Sequence, residues 1–315
     1  MTSTPETTPR PGRVYPPRRR RIRESLGGRI FNAVNIAIMI AVTFLALYPI
    51  WYVIVNAFND ANDAMLGGVY WFPRMFSAEN FKVIFRNATV FRAYFITVAR
   101  TVLGTISSVL FTALVSYGLS KPYLLLRNFY LALGTVTLFF SGGLIPYFLV
   151  LRSLGLLNNF LVYIIPALFY FYYTLIFMSF FRELPPALEE SARIDGAGDF
   201  RIFFKIIFPL STPALATIAL FSGVYHWNDY FSGVMYITTR TDLEPIQTFL
   251  YRIIANTAAN DFRNAEGVSV IDRNITTSTA IKYATMVITT LPITCVYPFL
   301  QKYFIKGMLI GAIKE

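Results

Sequence analysis

The residues best suited to binding chemistry recur at intervals of three and four along one apolar stretch: Ser222, Tyr225, Asp229, Ser232 and Tyr236. This spacing places them on one face of a helix. A carboxylate inside an apolar segment is costly unless it faces a wet cavity or a charged partner. Asp229 could therefore accept hydrogen bonds from a ligand, next to the aromatic ring of Trp227 and the amide of Asn228.

Patterns for catalysis or metal binding are absent from the sequence. It contains no H-E-x-x-H or G-x-S-x-G motif, and His226 is its single histidine. Cys295 is the single cysteine, which excludes a disulfide within the chain and a cysteine-based metal cluster, and its apolar surroundings predict a small buried hydrophobe. A phosphate-binding G-x-x-x-x-G-K-[ST] loop is missing as well. We expect no catalytic residue, metal site or cofactor in this chain, and the chain cannot by itself be an ATPase.

The composition is that of an integral membrane protein. Apolar residues make up 55% of the 315 residues and charged residues only 14%, against about one quarter charged in soluble domains. The net charge of +11 is concentrated in residues 1–29, which hold eight Arg and two Glu. This proline-broken segment predicts a disordered cytoplasmic tail that orients the chain and is attracted to anionic lipid. A nucleic-acid-binding arm is conceivable, but the anchor is the better interpretation.

Six apolar runs are long enough to cross about 30 Å of hydrocarbon, which predicts an all-α integral membrane fold within residues 30–315. The predicted spans are residues 31–58, 94–119, 128–151, 160–181, 212–237 and 283–304. With the N-terminus in the cytoplasm, the inner segments hold 17 Lys and Arg and the outer loops hold 10. Positive charge favours the inner side, so both termini and the loop at residues 182–210 should be cytoplasmic.

The cytoplasmic loop contains a charged stretch, ALEESARIDGAGDFRIFFKIIFPL, that predicts two short helices. Glu189 and Glu190 complement the positive N-terminal end of the first helix, and Gly196 supplies the left-handed residue that ends it after about ten residues. Asp199 is a plausible N-cap of the second, amphipathic helix, which should lie in the membrane interface. From these residues alone, an ordinary amphipathic connector is at least as plausible as a docking element.

The same stretch resembles the EAA loop, E-A-A-x3-G-x9-I-x-L-P, of permease subunits of bacterial ABC importers. The match runs from Glu190 through Gly196 to Pro209 and departs at Ser191 and Phe208. The segments TALVSYGLSK, SGGLIPYFLVLRSLGLLNN, YHWNDYF and QKYFIKGMLIGAIKE also look like this family. The resemblance covers about residues 31–315 and is greatest to maltose-permease-like importers, in the branch that resembles importers of oligosaccharides from polysaccharides.

The resemblance implies a multi-pass permease of the bacterial cytoplasmic membrane that works with partner chains. A second permease, expected to be a different chain, would complete the pore, two ATPase subunits would bind ATP and Mg, and an extracellular solute-binding protein would deliver an oligosaccharide. An ion-coupled secondary carrier is the alternative, although such carriers usually show buried ionisable residues and an internal repeat.

The resemblance also assigns roles to residues of the loop and leaves the substrate path less defined. The residues expected to couple to the ATPase are Glu190, Ser191, Ala192, Asp195, Gly196 and Pro209. Tyr225, Trp227, Asn228, Asp229 and Tyr173 are the candidates for the sugar path, by hydrogen bonding and ring stacking. Membrane aromatics more often pack or lie at the interface, and residues 226–229 could simply anchor their helix there. Arg100 could pair with Asp229 or with an anionic substrate, or extend toward the interface.

Overall fold

The computed structural model describes residues 25–65, 67–265, 281–296 and 298. Within these ranges the fold is helical, with no strand beyond an isolated bridge between Asn59 and Phe76. The helices are α1 Leu26–Ala57, α2 Ala61–Met65, α3 Glu79–Arg86, α4 Ala88–Ser120, α5 Arg127–Phe139, α6 Leu144–Ser153, α7 Phe171–Glu183, α8 Ala187–Ile194, α9 Asp199–Ile202, α10 Phe208–Leu210, α11 Thr212–Asn228, α12 Phe231–Tyr236, α13 Ile246–Ala265 and α14 Ile281–Val296. The predicted tail up to residue 24 and the predicted end of the sixth span after residue 298 lie outside the described residues.

The chain divides into two compact units, residues 1–50 and 51–315, with the division inside α1. In the first unit, residues 26–50 of α1 are almost entirely apolar, and nearly every side chain is exposed. A helix that is apolar all round and has no buried face fits contact with lipid.

In the second unit, α4 is the central helix and packs against α7 and α11. The buried face of α4 includes the small polar residues Thr97, Ser108, Thr112 and Ser116. Thr112 Oγ1 donates to the carbonyl of Leu168 at 3.2 Å. The threonine and serine face of the second predicted span therefore serves helix packing, where small residues let backbones approach closely.

α4 and α11 are closely packed at Gly104. A Cβ added there would overlap Nε2 of His226, whose ring is buried against the glycine. No larger residue fits without moving one of the helices, so Gly104 sets their separation.

Only two helices, α1 and α4, are by themselves long and apolar enough to cross a membrane, and bent helix pairs raise this number to as many as five within the described part of the chain. The third predicted span is broken into α5 and α6, which meet at 119°. The break lies at Ser141–Gly143 of the SGG segment, where Gly143 has a φ of +80°.

The fourth predicted span consists of two 3₁₀ turns, Phe160–Tyr163 and Ile165–Ala167, followed by α7 at 48°. Pro166 lies in the second turn and cannot donate a helical hydrogen bond. The prediction of continuous helices was therefore wrong for these two runs. Cys295, predicted to be buried, is exposed on α14.

Candidate functional site

The charged stretch that was predicted to be cytoplasmic begins with the eight-residue helix α8, which ends at a glycine as predicted. Gly196 has a φ of +79°, and its amide donates to the carbonyl of Arg193 at 3.0 Å. The amide of Ala197 donates to the carbonyl of Ala192 at 2.9 Å. These two bonds form the Schellman arrangement, which requires a left-handed residue at position 196.

Charged contacts fasten α8 to the connection between α4 and α5. The ammonium of Lys121 donates to the carboxylate of Glu189, and the two side chains are only 12% and 22% exposed. The guanidinium of Arg193 donates to the hydroxyl of Tyr123 and, at 2.8 Å, to Asp199. Lys121 and Tyr123 were not among the predicted site residues. Their positions in the sequence give no indication that they contact α8, which lies about 70 residues further along the chain.

The two faces of α8 have different environments. Ala192 is buried in a core cluster that also contains Tyr117 of α4 and Phe177 of α7. The residues left exposed are Ala187, Leu188, Glu190, Ser191, Arg193, Ile194, Asp195 and Gly196. The side chain of Ile194 is 86% exposed and lies among polar residues. Ile194 was not among the site residues predicted from the sequence. The exposed surface thus combines charged side chains with the hydrophobic side chains of Leu188 and Ile194, as docking surfaces often do.

The second half of the loop differs from its predicted arrangement. Gly198 is the N-cap, and Asp199 is the first residue of α9 rather than its cap. Of the predicted apolar stripe, Phe203 is buried together with Ile202, whereas Phe200 is exposed. The buried pair joins the same cluster as Ala192, so both halves of the loop are fixed to one core.

A π-helical turn, Phe203–Ile207, leads into α10, which contains Pro209. The helical segment 199–210 then meets α11 at an angle of 82°. Insertion of one extra residue per turn frees backbone groups and commonly marks a functional site. Pro209 therefore stands where the loop turns into the fifth predicted span.

The fifth predicted span is also interrupted, at the carboxylate that the sequence analysis singled out. α11 ends at Asn228, and α12 begins two residues after Asp229. The amide of Asp229 donates to the carbonyl of Tyr225 at 3.0 Å, and its Oδ1 accepts the amide of Ser232 at 3.1 Å. Asp229 thus follows the last residue of the first helix and accepts an amide from the first turn of the second.

Asp229 pairs with Arg100 of α4. Nη1 of Arg100 lies 3.4 Å from Oδ2 of Asp229, and Nη2 donates to the backbone carbonyl of the same residue. The guanidinium carbon is 5.0 Å from the ring centroid of Tyr163. Arg100 is completely buried, while the Asp229 side chain remains 14% exposed. Of the alternatives for Arg100, the structure therefore shows the pair with Asp229.

A cavity of about 730 Å³ opens beside this pair. Its walls come from the SGG break before α6, from the 3₁₀ turns and from both sides of the α11–α12 break. The polar and aromatic side chains that line it are those of Ser141, Tyr147, Tyr163, Tyr225, Asp229, Phe231, Ser232 and Tyr236. Tyr147 and Tyr225 are about half exposed. Tyrosine rings with free edges, hydroxyls and one carboxylate can stack on a ring and bond its hydroxyls.

The structure brings together only part of the predicted path. Tyr225 and Asp229 line the cavity, but the indole of Trp227 is buried elsewhere and donates to the carbonyl of Thr289 at 3.1 Å. Tyr173 stacks with Phe221, their ring centroids 6.3 Å apart. Asn228 is exposed and does not line this cavity. Adjacent positions on a helix point in different directions, which separates these residues from Tyr225.

Several hydrogen bonds fix the segment after α12 beside the cavity. Oδ1 of Asn158 accepts the amides of Thr238 and Thr239, each at 2.8 Å. The hydroxyl of Tyr163 donates to the carbonyl of Leu243 at 3.1 Å. This segment therefore has a defined start, and it contains the 20-residue helix α13 before residues 266–280, which lie outside the described ranges.

An ion pair of the buried carboxylate of Glu244 further stabilises the segment after α12. The carboxylate pairs with Arg252 of α13 at 2.7 Å. Burial raises the pKa of Glu244 above the usual carboxyl value, and the nearby guanidinium opposes that rise. The pair links the turn at Thr241–Leu243 to α13.

Comparison with known proteins identifies the family. Residues 29–310 match the model of the binding-protein-dependent transport system inner membrane component. The chain is 37% identical to Protein LplC of Bacillus subtilis (strain 168), over 91% of this chain and 96% of that protein. It is 35% identical to the polygalacturonan/rhamnogalacturonan transport system permease protein YtcP of the same organism, over 91% and 99%.

A solved structure also resembles this chain. It is the crystal structure of a bacterial ABC transporter involved in the import of the acidic polysaccharide alginate, and one of its chains superposes with a TM-score of 0.79. The match has 30% sequence identity and covers 89% of this chain and 99% of that chain. The chain therefore belongs to the family of inner membrane components of binding-protein-dependent transport systems.

Proposed function

We propose that this chain is a pore-forming permease subunit of an ATP-driven importer that moves an oligosaccharide across the bacterial cytoplasmic membrane. The family consists of transport components, so the chain is a permease and not an enzyme. The descriptions of YtcP and of the solved transporter name polygalacturonan/rhamnogalacturonan transport and alginate import, which supports a sugar as the cargo.

The importer would contain further chains. The sequence has no phosphate-binding loop, so ATP and Mg would be bound by two cytoplasmic ATPase subunits. A second permease, which we propose is a different chain, would complete the pore, and an extracellular solute-binding protein would deliver the sugar. The segment after α12 supports a role for the solute-binding protein, because hydrogen bonds hold this segment next to the cavity. A partner that docks on it would act directly on the residues around the α11–α12 break.

We propose six membrane crossings with both termini in the cytoplasm. The helices α1 and α4 supply two, the bent pairs supply three more by length and composition, and the apolar helix α14 begins the sixth. The distribution of Lys and Arg supports this orientation, since the segments assigned to the inside hold 17 and the outer loops 10.

The exposed face of α8 is the single observation that carries the coupling role. A simple connector has no need for a helix whose position is fixed by two charged contacts and whose other face is left open. Ile194, the most exposed large hydrophobic residue of the helix, would enter a cleft on the ATPase, and Glu190 would meet a basic partner there. Because Ala192 joins the same core as α4 and α7, a displacement of α8 would reach the membrane helices.

The cavity beside Asp229 would be this chain's part of the sugar path. It joins the break in the third predicted span to the break in the fifth, and helix breaks at membrane depth are tolerated where they line a cavity. Tyr225 and Asp229 are the residues we assign to the path. Tyr173, Trp227 and Asn228 stay predictions without support from this cavity.

Charge reversal at Glu190 tests the coupling role. Glu190→Lys should leave membrane insertion unchanged but weaken ATPase association, because the exposed carboxylate of Glu190 would lose its partner and its favourable interaction with the helix N-terminus, worth about 0.3–1 kcal/mol. Glu183→Lys is the matched control, since Glu183 is also exposed and cytoplasmic but ends α7 outside the docking face.

The measurements are co-purification of the ATPase and ATP-dependent sugar uptake in proteoliposomes of equal subunit content. We expect a deficit for Glu190→Lys only. Equal behaviour of both variants would remove the coupling role from α8. Uptake that follows an ion gradient without ATP would return the chain to the class of secondary carriers.

A further inference from the structure

Aromatic side chains continue from the cavity beside Asp229 along α11. The ring centroids of Tyr236 and Tyr147 lie 6.1 Å apart, and both side chains line the cavity together with Tyr225. Phe221 lies four residues before Tyr225 on α11, which places these two side chains on the same face of the helix. The aromatic lining of the cavity therefore extends by one helical turn along α11.

The aromatic side chains then pass from α11 to α7. The ring of Phe221 stacks on that of Tyr173, whose centroid is 5.5 Å from the centroid of Tyr170 just before α7. The aromatic row, as we call it, consists of Tyr236, Tyr147, Tyr225, Phe221, Tyr173 and Tyr170. Its measured ring spacings are comparable to the length of one sugar unit in a linear chain. Neighbouring rings can therefore stack on neighbouring sugar units.

Three tyrosines of the row differ from those that stabilise the fold. Tyr147, Tyr170 and Tyr225 are about half exposed, and the structure shows no hydrogen bond from their hydroxyls to any described residue. The hydroxyl of the buried Tyr163, by contrast, donates to the carbonyl of Leu243. A buried tyrosine that serves packing usually has such a partner. The hydroxyls of the three exposed tyrosines therefore remain able to donate to a ligand and to accept from it.

Contact with lipid does not account for these hydroxyls, because hydrocarbon offers them no hydrogen-bond partner. Gly104 of α4 packs against His226, the residue after Tyr225, so the exposed faces of the two helices can be compared at one depth. There α4 exposes the apolar side chains of Leu103 and Ile106. Lipid suits these side chains of α4, whereas the hydroxyls of the row indicate water or a polar cargo beside them.

We infer that the sugar path of this chain continues from the cavity along the aromatic row to Tyr173 and Tyr170, and that it holds a linear oligosaccharide lengthwise. The inference rests on the proposed sugar path and specifies its course and the shape of its cargo. The cavity, at about 730 Å³, has the size of a site for a single small ligand, so a longer sugar chain extends onto the row. Each further ring that stacks on a sugar unit strengthens binding roughly two- to twelvefold.

Thiol labelling tests whether water and sugar reach the row. The background is Cys295→Ser, which removes the single cysteine of the chain. Tyr170→Cys and Tyr173→Cys are introduced separately into the complete importer in proteoliposomes and labelled with a charged methanethiosulfonate. Leu103→Cys is the matched control, since position 103 is exposed but lies outside the row. We expect both row cysteines to react at least about tenfold faster than the control, because the reactive thiolate forms in water and not in hydrocarbon.

Oligosaccharides of two lengths then identify what lies along the row. Di- and hexasaccharides of galacturonate and of galactose are added with the solute-binding protein and ATP. The hexasaccharide of at least one series should slow labelling at position 173, and its disaccharide should not. Tyr173→Ala should raise the KM for uptake of that hexasaccharide roughly two- to twelvefold without changing the KM for the disaccharide, because it removes one stacking contact. Tyr173→Phe, which keeps the ring, should restore most of the loss.

The outcomes separate this inference from the proposed function. Row cysteines that react no faster than the control would show that lipid or the second permease covers the row, and the inference would be overturned. Labelling that neither hexasaccharide slows overturns it as well. ATP-dependent uptake by the Cys295→Ser importer is measured first. If uptake is present without protection of the row, only the course of the path is wrong, whereas absence of ATP-dependent uptake removes the proposed function itself.

Discussion

Gly196→Val should uncouple the importer without unfolding the chain. The φ of +79° at this position is one that a β-branched residue adopts at a cost of about 1–2 kcal/mol. No atom lies within 4 Å of the added Cβ, so the cost is purely conformational. A cost of this size lowers the population of the present α8 end, relative to other conformations of the loop, by roughly five- to thirtyfold. The contacts of Lys121 and Arg193 to the rest of the chain should still hold the helix near the membrane.

Gly198→Val provides the control for this substitution. Gly198 lies two residues further along, has a φ of −74° and also has open space around it. The same side chain is therefore added without strain. ATPase association is measured by titrating the purified ATPase onto the permease complex in nanodiscs, with permease content and thermal stability checked for each variant. We expect five- to thirtyfold weaker association for Gly196→Val and nearly wild-type association for Gly198→Val. Equal effects of the two valines would refute the reasoning.

Three further predictions follow from contacts within the second unit. Gly104→Ala should destabilise the complex by about 1–3 kcal/mol, because the added methyl group forces α4 away from the histidine ring on α11. Gly118→Ala is the control on the same helix, where the added methyl group enters open space, and it should be neutral or stabilising. Thermal unfolding measures both effects. Lys121→Ala should leave the carboxylate of Glu189 without its partner and reduce ATP hydrolysis coupled to uptake; unchanged coupling would show that α8 is held by its core contacts alone. Asn158→Gly keeps the left-handed backbone but removes the acceptor for the amides of Thr238 and Thr239. ATP hydrolysis stimulated by the solute-binding protein should therefore fall, while basal ATP hydrolysis stays constant. Full stimulation of the variant would show that these hydrogen bonds do not contribute to the response.

The local elements that the sequence determined are those set by composition and by short-range geometry. Apolar runs longer than a membrane is thick predicted the helices α1 and α4, because length and hydropathy are properties of a continuous segment. The glycine at position 196 predicted the end of α8 for a similar reason, since a left-handed residue is a local requirement. The motif around Glu190 identified the family before any contact was known, and the matched residues 29–310 confirm it.

Tertiary structure decided which polar groups meet, because partners far apart in the chain leave no periodic signal. Arg100 and Asp229 are separated by 129 residues, and the sequence left their pairing open. Only the packing of α4 on α11 places them together, and only the break at Asp229 turns its carboxylate toward a cavity. The same packing buried Trp227 away from Tyr225. Lys121 and Glu189 likewise became partners because the fold brings the end of α4 to α8, which fixes the helix that we propose transmits the force of ATP hydrolysis.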